Sequence, residues 1–376
     1  MHGKDPGKSK DPSNQPINES SNQPSPRGNP VASSVFFWDL STSRRAPFDQ
    51  RLKRLLKKSG LGRHVGSGDL VALKVHFGEQ GTTGFIAPIW IRPIVDFVRK
   101  NGGRPFLTDT NTLYVGNRGE SVSHTLQAAQ HGFGPYVTGA PVIIADGLKS
   151  GNEEVVFRAG KHFSELYLAR DIVQADTMVT LSHFKGHELA GFGGALKNLG
   201  MGCATRKGKM QQHCGLGPEV HPEHCTGCGN CIEVCSAGAL SLDESGKVVL
   251  AREKCLGCAA CFLACRHQGL KVDWKVDVEV FLERMAEYAA AVLESMKRPV
   301  LHLNFVLQVS PGCDCVGYTE APLCPDLGVL ASYDPVALDQ AALDLVNQAP
   351  STRSGVAEDQ DKFQEVHAHT RGSHLL

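Results

Sequence analysis

The sequence predicts an α/β protein: a layered α/β body interrupted by a small cysteine-rich insert. Three observations carry that prediction. Apolar segments of strand length alternate with segments of helical periodicity across residues 34–220. The same alternation resumes at 271–350. Between the two, residues 221–270 hold eight of the 13 cysteines. Alternating strands and helices bury their apolar faces best as stacked layers, and 376 residues suffice for such a body with a second unit inside it.

Residues 1–33 are rich in Pro, Ser, Asn, Gln and Gly and lack the apolar core of a signal peptide, which predicts a disordered tail. VFFWDL (35–40) reads as the first strand. In FDQRLKRLLKKSGL, Leu52, Leu55, Leu56 and Leu61 fall on one helical face, and Arg51, Lys53, Arg54, Lys57 and Lys58 on a solvated one. DLVALKVHFG is a strand broken by Gly78, Gly81 and Gly84. PIWIRPIVDFVRK (88–100) reads as a helix despite Pro93, and RPFLTDT as a strand. HTLQAAQHGF is a short helix, PVIIADGL a strand, and VVFRAGKHFSELYLARDIVQAD a strand followed by a helix. TMVTLSHFKGHE begins as a strand and ends polar, opening a long polar and glycine-rich loop over 182–213. After the insert come the helix VEVFLERMAEYAAAVLESM, the strand LHLNFVLQVS and the helix DPVALDQAALDLVNQA. Asp334 is the expected N-cap of that last helix and Pro335 sits in its first turn, where a missing N–H is harmless. Residues 351–376 form a polar tail.

The insert carries the strongest motif. Cysteines 225, 228, 231 and 235 are spaced by two, two and three residues, and after nineteen more residues 255, 258, 261 and 265 repeat the spacing. This is the ligand arrangement of a ferredoxin with two [4Fe–4S] clusters, in which the fourth cysteine of each run serves the other cluster. Cys225, Cys228, Cys231 and Cys265 are therefore one ligand set, and Cys255, Cys258, Cys261 and Cys235 the second. Ser236 and Arg266 stand where proline is frequent. Two four-cysteine zinc sites are the rival reading. The segments AL-SL and KVVL flank DESG as a hairpin, and the ends of an inserted unit are expected to lie together.

Lys plus Arg equals Asp plus Glu, at 39 each, so no global charge points to nucleic acid or membrane. The basic residues lack an aromatic-interleaved stripe, and no apolar stretch approaches a membrane span. The remaining cysteines, 203, 214, 313, 315 and 324, are an odd number, against a disulfide framework. Cys203 and Cys214 read best as buried thiols. Clusters and free thiols together favour a cytoplasmic protein.

Reactive side chains fall at predicted strand ends, where α/β folds form pockets: Lys74, His76, Asp109, Asp146, His183, Lys185 and His187. Gly191, Gly193, Gly194, Gly200 and Gly202 permit a backbone anion nest, which Lys185, Lys197, Arg206, Lys207 and Lys209 could supplement. Neither a Walker A sequence nor a dinucleotide fingerprint is present. Gly186 lies between His183 and His187, which argues against a helical zinc pair and for an acid–base role. The catalytic candidates are Lys74, Asp109, His183, Lys185, His187 and Lys197. Cys313, Cys315, Cys324 and Asp326 are candidates to hold an additional metal ion, with a pocket-lining loop as the alternative.

Several segments resemble the domain-of-unknown-function 362 family in its ferredoxin-containing form. They are LKVHFGEQGTTGFIAP, LTDTNTLYVGNR, IIADGL, SHFKGHELAGFGGALKNLGMGC, the two cysteine runs, and CDC…PDLGVLASYDPVALDQAALDLV, spread over residues 70–346. The resemblance implies iron–sulfur binding without a defined reaction, and a further apolar segment beyond the last helix, where this chain ends in HTRGSHLL. It also implies a more distant similarity to nickel-dependent lactate racemases, involving His183, Lys185, His187 and Lys197; no motif carries the nickel-pincer cofactor across. Most of the chain lies outside the insert, which favours an active site over a bare carrier. The function expected is an iron–sulfur oxidoreductase that relays single electrons from a redox partner protein to a small anionic substrate. An electron-transfer protein docking a partner enzyme, and a metal- or cluster-handling protein, are the alternatives.

Overall fold

The computed structural model describes residues 33–114, 116–214, 218–271, 277–352 and 360–363. The expected tail at 1–33 lies almost wholly outside the described residues, as does the side chain of Cys214. Of the expected polar tail at 351–376, residues 351, 352 and 360–363 are described, and Phe363 is buried against Phe184 and Phe192 rather than solvated.

In chain order the elements are β1 (Phe36–Trp38), α1 (Phe48–Lys58), β2 (Leu70–Val75), α2 (Arg92–Lys100), β3 (Arg104–Asp109), α3 (Ser121–Gln130), β4 (Val142–Ile144), β5 (Glu153–Phe157), β6 (Glu165–Ala169), α4 (Arg170–Val173), β7 (Thr177–His183), β8 (Lys185–His187), β9 (Gly191–Gly193), α5 (Ala195–Gly200) and α6 (Arg206–Cys214). The cysteine-rich unit follows with β10 (Glu219–Val220), α7 (Asn230–Glu233), β11 (Leu240–Leu242), β12 (Val248–Leu250), α8 (Ala260–Ala264) and β13 (Leu270–Lys271). The body resumes with α9 (Val278–Ser295), β14 (Leu301–Val306), β15 (Gly328–Ser332) and α10 (Pro335–Gln348).

Seven strands form one mixed sheet in the order β1-β15-β14-β7-β2-β3-β4. The pairs from β14 to β4 are parallel, while β15 runs antiparallel to both its neighbours. Side chains alternate across the sheet, so each face owns a core. On one face Val71, Leu73, Val179 and Leu303 pack under Leu52, Leu55 and Leu56 of α1 and Ile94, Val95 and Val98 of α2. On the other, Ala72, Phe106 and Met178 meet Leu196 and Leu199 of α5 and Tyr288 and Val292 of α9. Leu330 and Val306 meet Leu338 and Leu343 of α10 on that side. The result is a mixed α/β fold around a central mixed sheet. Pro93 is accommodated because α2 begins only at Arg92, which leaves the proline in the first turn.

The structure differs from the sequence expectation in three segments. Residues 153–169 form an antiparallel hairpin, β5 with β6, and only the single turn of α4 follows. Leu166 and Leu168 alternate inward there, a period of two that outweighs the helical signal. The stretch expected as a glycine loop is instead the β8–β9 hairpin, α5 and α6. β15, which sequence reading did not mark as a strand, fills the place between β14 and β1. Arg51 is also buried rather than solvated, and its guanidinium donates to Ser41 Oγ at 2.9 Å.

The two ends of the cysteine-rich unit pair with each other: Glu219 stands opposite Lys271, and Val220 opposite Leu270. Within the unit, β11 pairs with β12 across the DESG turn. Leu240, Val248, Phe262, Leu270 and Cys231 form a small core that closes against Met210 of α6 and Leu113.

Candidate functional site

A cavity of about 500 Å³ opens at the C-terminal ends of the parallel strands β2, β3 and β7. Lys74, Asp109, His183, Lys185, His187 and Lys197, spread over 124 positions of sequence, all line it. Three polar groups build its walls.

The first is centred on Asp109. Its Oδ1 meets Lys74 Nζ at 2.8 Å, and that lysine also donates to Asn198 Oδ1 at 2.8 Å. The other carboxylate oxygen faces Arg118 at 3.7 Å and His124 at 3.8 Å. Burial alone would raise the Asp109 pKa, but Lys74 and the neighbouring bases hold it far below the usual carboxylate range. Burial keeps His124 neutral, down to about 3. Arg118 is buried, ion-paired to Glu79 at 3.2 Å, and donates to His76 Nε2 at 2.8 Å and to the Tyr114 hydroxyl.

The second is centred on Asp314. It accepts from His183 Nδ1 at 2.8 Å and pairs with Lys185 Nζ at 3.0 Å. His183 Nε2 donates to Leu307 O at 2.8 Å. Both ring nitrogens are thus occupied by fixed protein acceptors, and neither is left to serve a substrate as acid or base. Burial would raise the Asp314 pKa, yet His183 and Lys185 depress it far below its ordinary value. Burial would lower Lys185, and Asp314 instead raises it, so the ion pair persists through neutral pH.

The third contains sulfur. Gly186 N donates to Ser310 O at 2.8 Å, and a Cβ on Gly186 would stand 1.8 Å from Pro311 O. Only glycine permits that approach, which docks Cys313-Asp314-Cys315 against β8. His187, Cys313 and Cys315 each bring a donor atom within 4.8 Å of the others, a candidate metal-binding group. Cys313 Sγ accepts from Cys315 N–H at 3.4 Å and from Lys197 Nζ at 3.7 Å. A hydrogen bond from the Cys315 thiol, aided by Lys197 and His187 against the effect of burial, holds Cys313 well below the ordinary thiol range.

Other expectations are corrected. Cys324 and Asp326 do not join Cys313 and Cys315. Cys324 is packed among Phe184, Leu323 and Leu338, its thiol pushed up to about 11 by burial, and Asp326 accepts from Gln308 N–H at 2.6 Å. The glycine-rich stretch forms no open anion nest. Its α5 N–H groups, Ala195 and Leu196, already bind the carboxylate of Asp339 at 2.7 and 2.9 Å. Gly194 is required because a Cβ there would meet Asp339 Oδ1 at 2.2 Å. Arg206 donates to the carbonyls of Thr112, Lys149 and Gly119, and Lys207 lies over the Tyr167 ring at 3.6 Å. Lys209 lines the cavity, but its ammonium donates to Thr110 Oγ1, Asn111 O and Ala204 O, and burial lowers its pKa to about 8. Asp146 binds Asn111 and Ser150 outside the cavity. Cys203 is a buried thiol, raised to about 11 by burial.

In the cysteine-rich unit, one recess is walled by Cys225, Cys228, Cys231 and Cys265, and a second by Cys235, Cys255, Cys258 and Cys261. Each set draws three cysteines from one run and one from the other. Backbone N–H groups of Gly227 and Val248 point at Cys225 Sγ at 3.4 and 3.3 Å, and Ala239 N–H at Cys235 Sγ at 3.3 Å. Burial and the adjacent sulfurs push Cys261 up to about 12.

The profile of a family described as Domain of unknown function (DUF362) matches residues 71–344, from β2 into α10. The chain belongs to this family. A relative of the DUF362 chain is "Thylakoid-associated protein sll1697" of Synechocystis sp., 25% identical over 180 residues, 45% of this chain and 50% of the relative. Among solved structures, the lactate racemase apoprotein from Thermoanaerobacterium thermosaccharolyticum is similar at a TM-score of 0.36 and 15% identity, over 65% of this chain and 44% of that one. A Thermotoga maritima protein is similar at a TM-score of 0.44 and 11% identity, over 81% and 60%. The chain thus spans about half the length of the curated relative it matches. No helix among the described residues of this DUF362 protein is long and apolar enough to cross a membrane.

Sequence reasoning missed Arg118, Glu79, Tyr114, His124 and Asp314. Arg118 sits in an unremarkable loop sequence, and only its burial beside three partners reveals it. Asp314 stands between two cysteines, a position that carries no signal by itself.

Proposed function

We propose that this DUF362 chain is an iron–sulfur oxidoreductase in which two [4Fe–4S] clusters relay single electrons from a redox partner protein to a small anionic substrate in the cavity. The observation that carries the reading is the division of the eight cysteines into two recesses of three plus one. The donor set fits: thiolates with N–H groups aimed at their sulfurs are what a cubane requires and what tunes it. When bound, such clusters supply one-electron chemistry.

The chain's own residues supply the remainder. One face of α6, through Lys209 and His213, lines the cavity, and Met210 of the same helix packs with Cys231 and Phe262. Leu113 belongs to both surroundings. A thin wall therefore separates substrate space from cysteine recess. Lys197 attracts an anion, while Phe281, Leu189 and Met201 exclude water. His183 acts as a positioning residue that holds Asp314. The exposed Val234, Leu242, Val249 and Leu256 offer the partner protein an apolar rim beside the recesses.

Anaerobically purified protein is expected to hold about eight iron and eight sulfide per chain. Stoichiometric zinc without sulfide would overturn the assignment. Lys197→Ala is expected to keep its iron and its reduction by dithionite, and to lose reoxidation by small carboxylate oxidants. If no small molecule reoxidises the wild type and only proteins do, the electron-carrier reading replaces this one; the exposure of Cys228 and Cys258 is the observation that favours it.

A further inference from the structure

The group formed by His187, Cys313 and Cys315 has no part in the relay described above. Its donor atoms lie within 4.8 Å of one another. Cys315 lines the cavity and Cys313 is buried behind it. A metal ion is the obvious occupant, and the imidazole argues against one. A metal-bound histidine gives one ring nitrogen to the metal and donates a proton from the other. His187 Nδ1 instead accepts from the N–H groups of Leu189 and Ala190, at 3.2 and 3.0 Å. The ring proton therefore sits on Nε2, which has no lone pair to offer a metal. A protonated Nε2 is a donor, and a sulfur anion is its natural partner.

We propose that Cys313 and Cys315 are a redox-active dithiol that exchanges with a small, carboxylate-bearing disulfide in the cavity. Both cysteines are free in the structure. Cys313 Sγ is surrounded by donors that stabilise negative charge: Cys315 N–H at 3.4 Å and Lys197 Nζ at 3.7 Å. The depressed pKa of Cys313 agrees with this arrangement, in which the two sulfurs share one proton. A bridge between cysteines two apart closes a small, strained ring, and strained disulfides are the labile, catalytic ones.

The exchange balances as follows. Cys315 attacks one sulfur of the disulfide RSSR as its proton passes to Cys313, and RS⁻ leaves. Cys313 then attacks Cys315 Sγ, its proton goes to the departing sulfur, and RSH leaves. The thiol–thiolate pair and RSSR thereby become an internal disulfide, RS⁻ and RSH. Regeneration takes two electrons and one proton; this half alone rests on the proposed relay, whose two clusters would deliver one electron each.

The test uses the full-length protein, purified anaerobically, reduced, and incubated with dithiodipropionate or with neutral hydroxyethyl disulfide before mass mapping. Wild type is expected to form the 313–315 disulfide and retain no adduct, faster with the dicarboxylate. Cys313→Ser, which lacks the thiolate that takes the Cys315 proton, is expected to trap one adduct on Cys315 more slowly than wild type reacts, and Cys315→Ser to stay unmodified. Lys197→Gln, a milder variant, is expected to slow reaction with the dicarboxylate roughly tenfold and to abolish the preference over the neutral probe. Unmodified Cys313 and Cys315 in wild type overturn the proposal, as does a metal ion carried stoichiometrically by wild type and lost in Cys313→Ser. Iron and sulfide measured on the same samples separate the two readings. Cluster-free protein that forms the disulfide overturns the relay alone, and cluster-loaded protein that stays unmodified overturns the dithiol alone.

Discussion

In the cysteine-rich unit the reactive groups are eight like side chains on a thin scaffold of two-stranded pieces and single helical turns. Around the cavity they are bases and carboxylates, matched in pairs, on a sheet of seven strands. The contrast concerns what neutralises buried charge. Lys74, Arg118 and Lys185 find their counter-charges within the chain, so that region is complete as a protein. Four sulfurs crowded into one recess have no cation among themselves and resist ionising together; burial first, and the adjacent sulfurs after it, raise the Cys261 thiol.

The comparison can be broken most decisively at Asp314. Asp314→Ala leaves His183 and Lys185 buried without their carboxylate, and is expected to lower unfolding stability in urea by about 3–5 kcal/mol. Iron content per folded chain should not change. If iron falls first, the two regions are one cooperative structure and the contrast fails.

A smaller effect separates the regions by pH. Burial of His302, in β14 opposite Thr180 of β7, lowers its pKa from 6.5 to about 3. The unfolded chain then binds more protons between those values. Stability is fully present above the ordinary histidine pKa and is lost as pH falls towards the depressed one, by roughly 1.4 kcal/mol per pH unit. His302→Gln should flatten that slope in the sheet's unfolding transition and leave the absorbance of the cysteine-rich unit untouched.

Cys265→Ser is expected to cost little global stability but about half of the iron, lost from the recess of Cys225 rather than that of Cys261. Spectra of the paired variant Cys235→Ser should show the reverse. Loss from the same-run recess in both would refute the crossed division of ligands. The smallest change lies outside both regions. Asp334 caps α10 by accepting from Val336 and Ala337 N–H at 2.9 and 3.1 Å. Asp334→Ala should remove about 1 kcal/mol and alter neither iron nor cavity chemistry.

How much of this was legible in sequence follows from the same contrast. The cysteine sets are written in local spacing, so they could be read directly. The cavity's residues could be named one at a time from strand ends, but their partnerships join segments far apart, such as His183 with Asp314 and Lys74 with Asn198. The glycine at 194 was misread because freedom to bind an anion and freedom to touch a carboxylate look alike in a sequence. Only contact with Asp339 distinguishes them. Cys324 looked like a partner of Cys313 by proximity in the chain, yet apolar neighbours took it into the core.

The pairing of β10 with β13 has a consequence for how such a chain can be inherited. Val220 and Leu270 stand opposite each other in an antiparallel pair, so the two strands could be joined by a two-residue turn in place of everything between them. The body would see the same two strand ends emerging at the same spacing. A gene could therefore acquire or discard the intervening segment as a cassette, and the cavity and the cysteine-rich unit could evolve as separable parts.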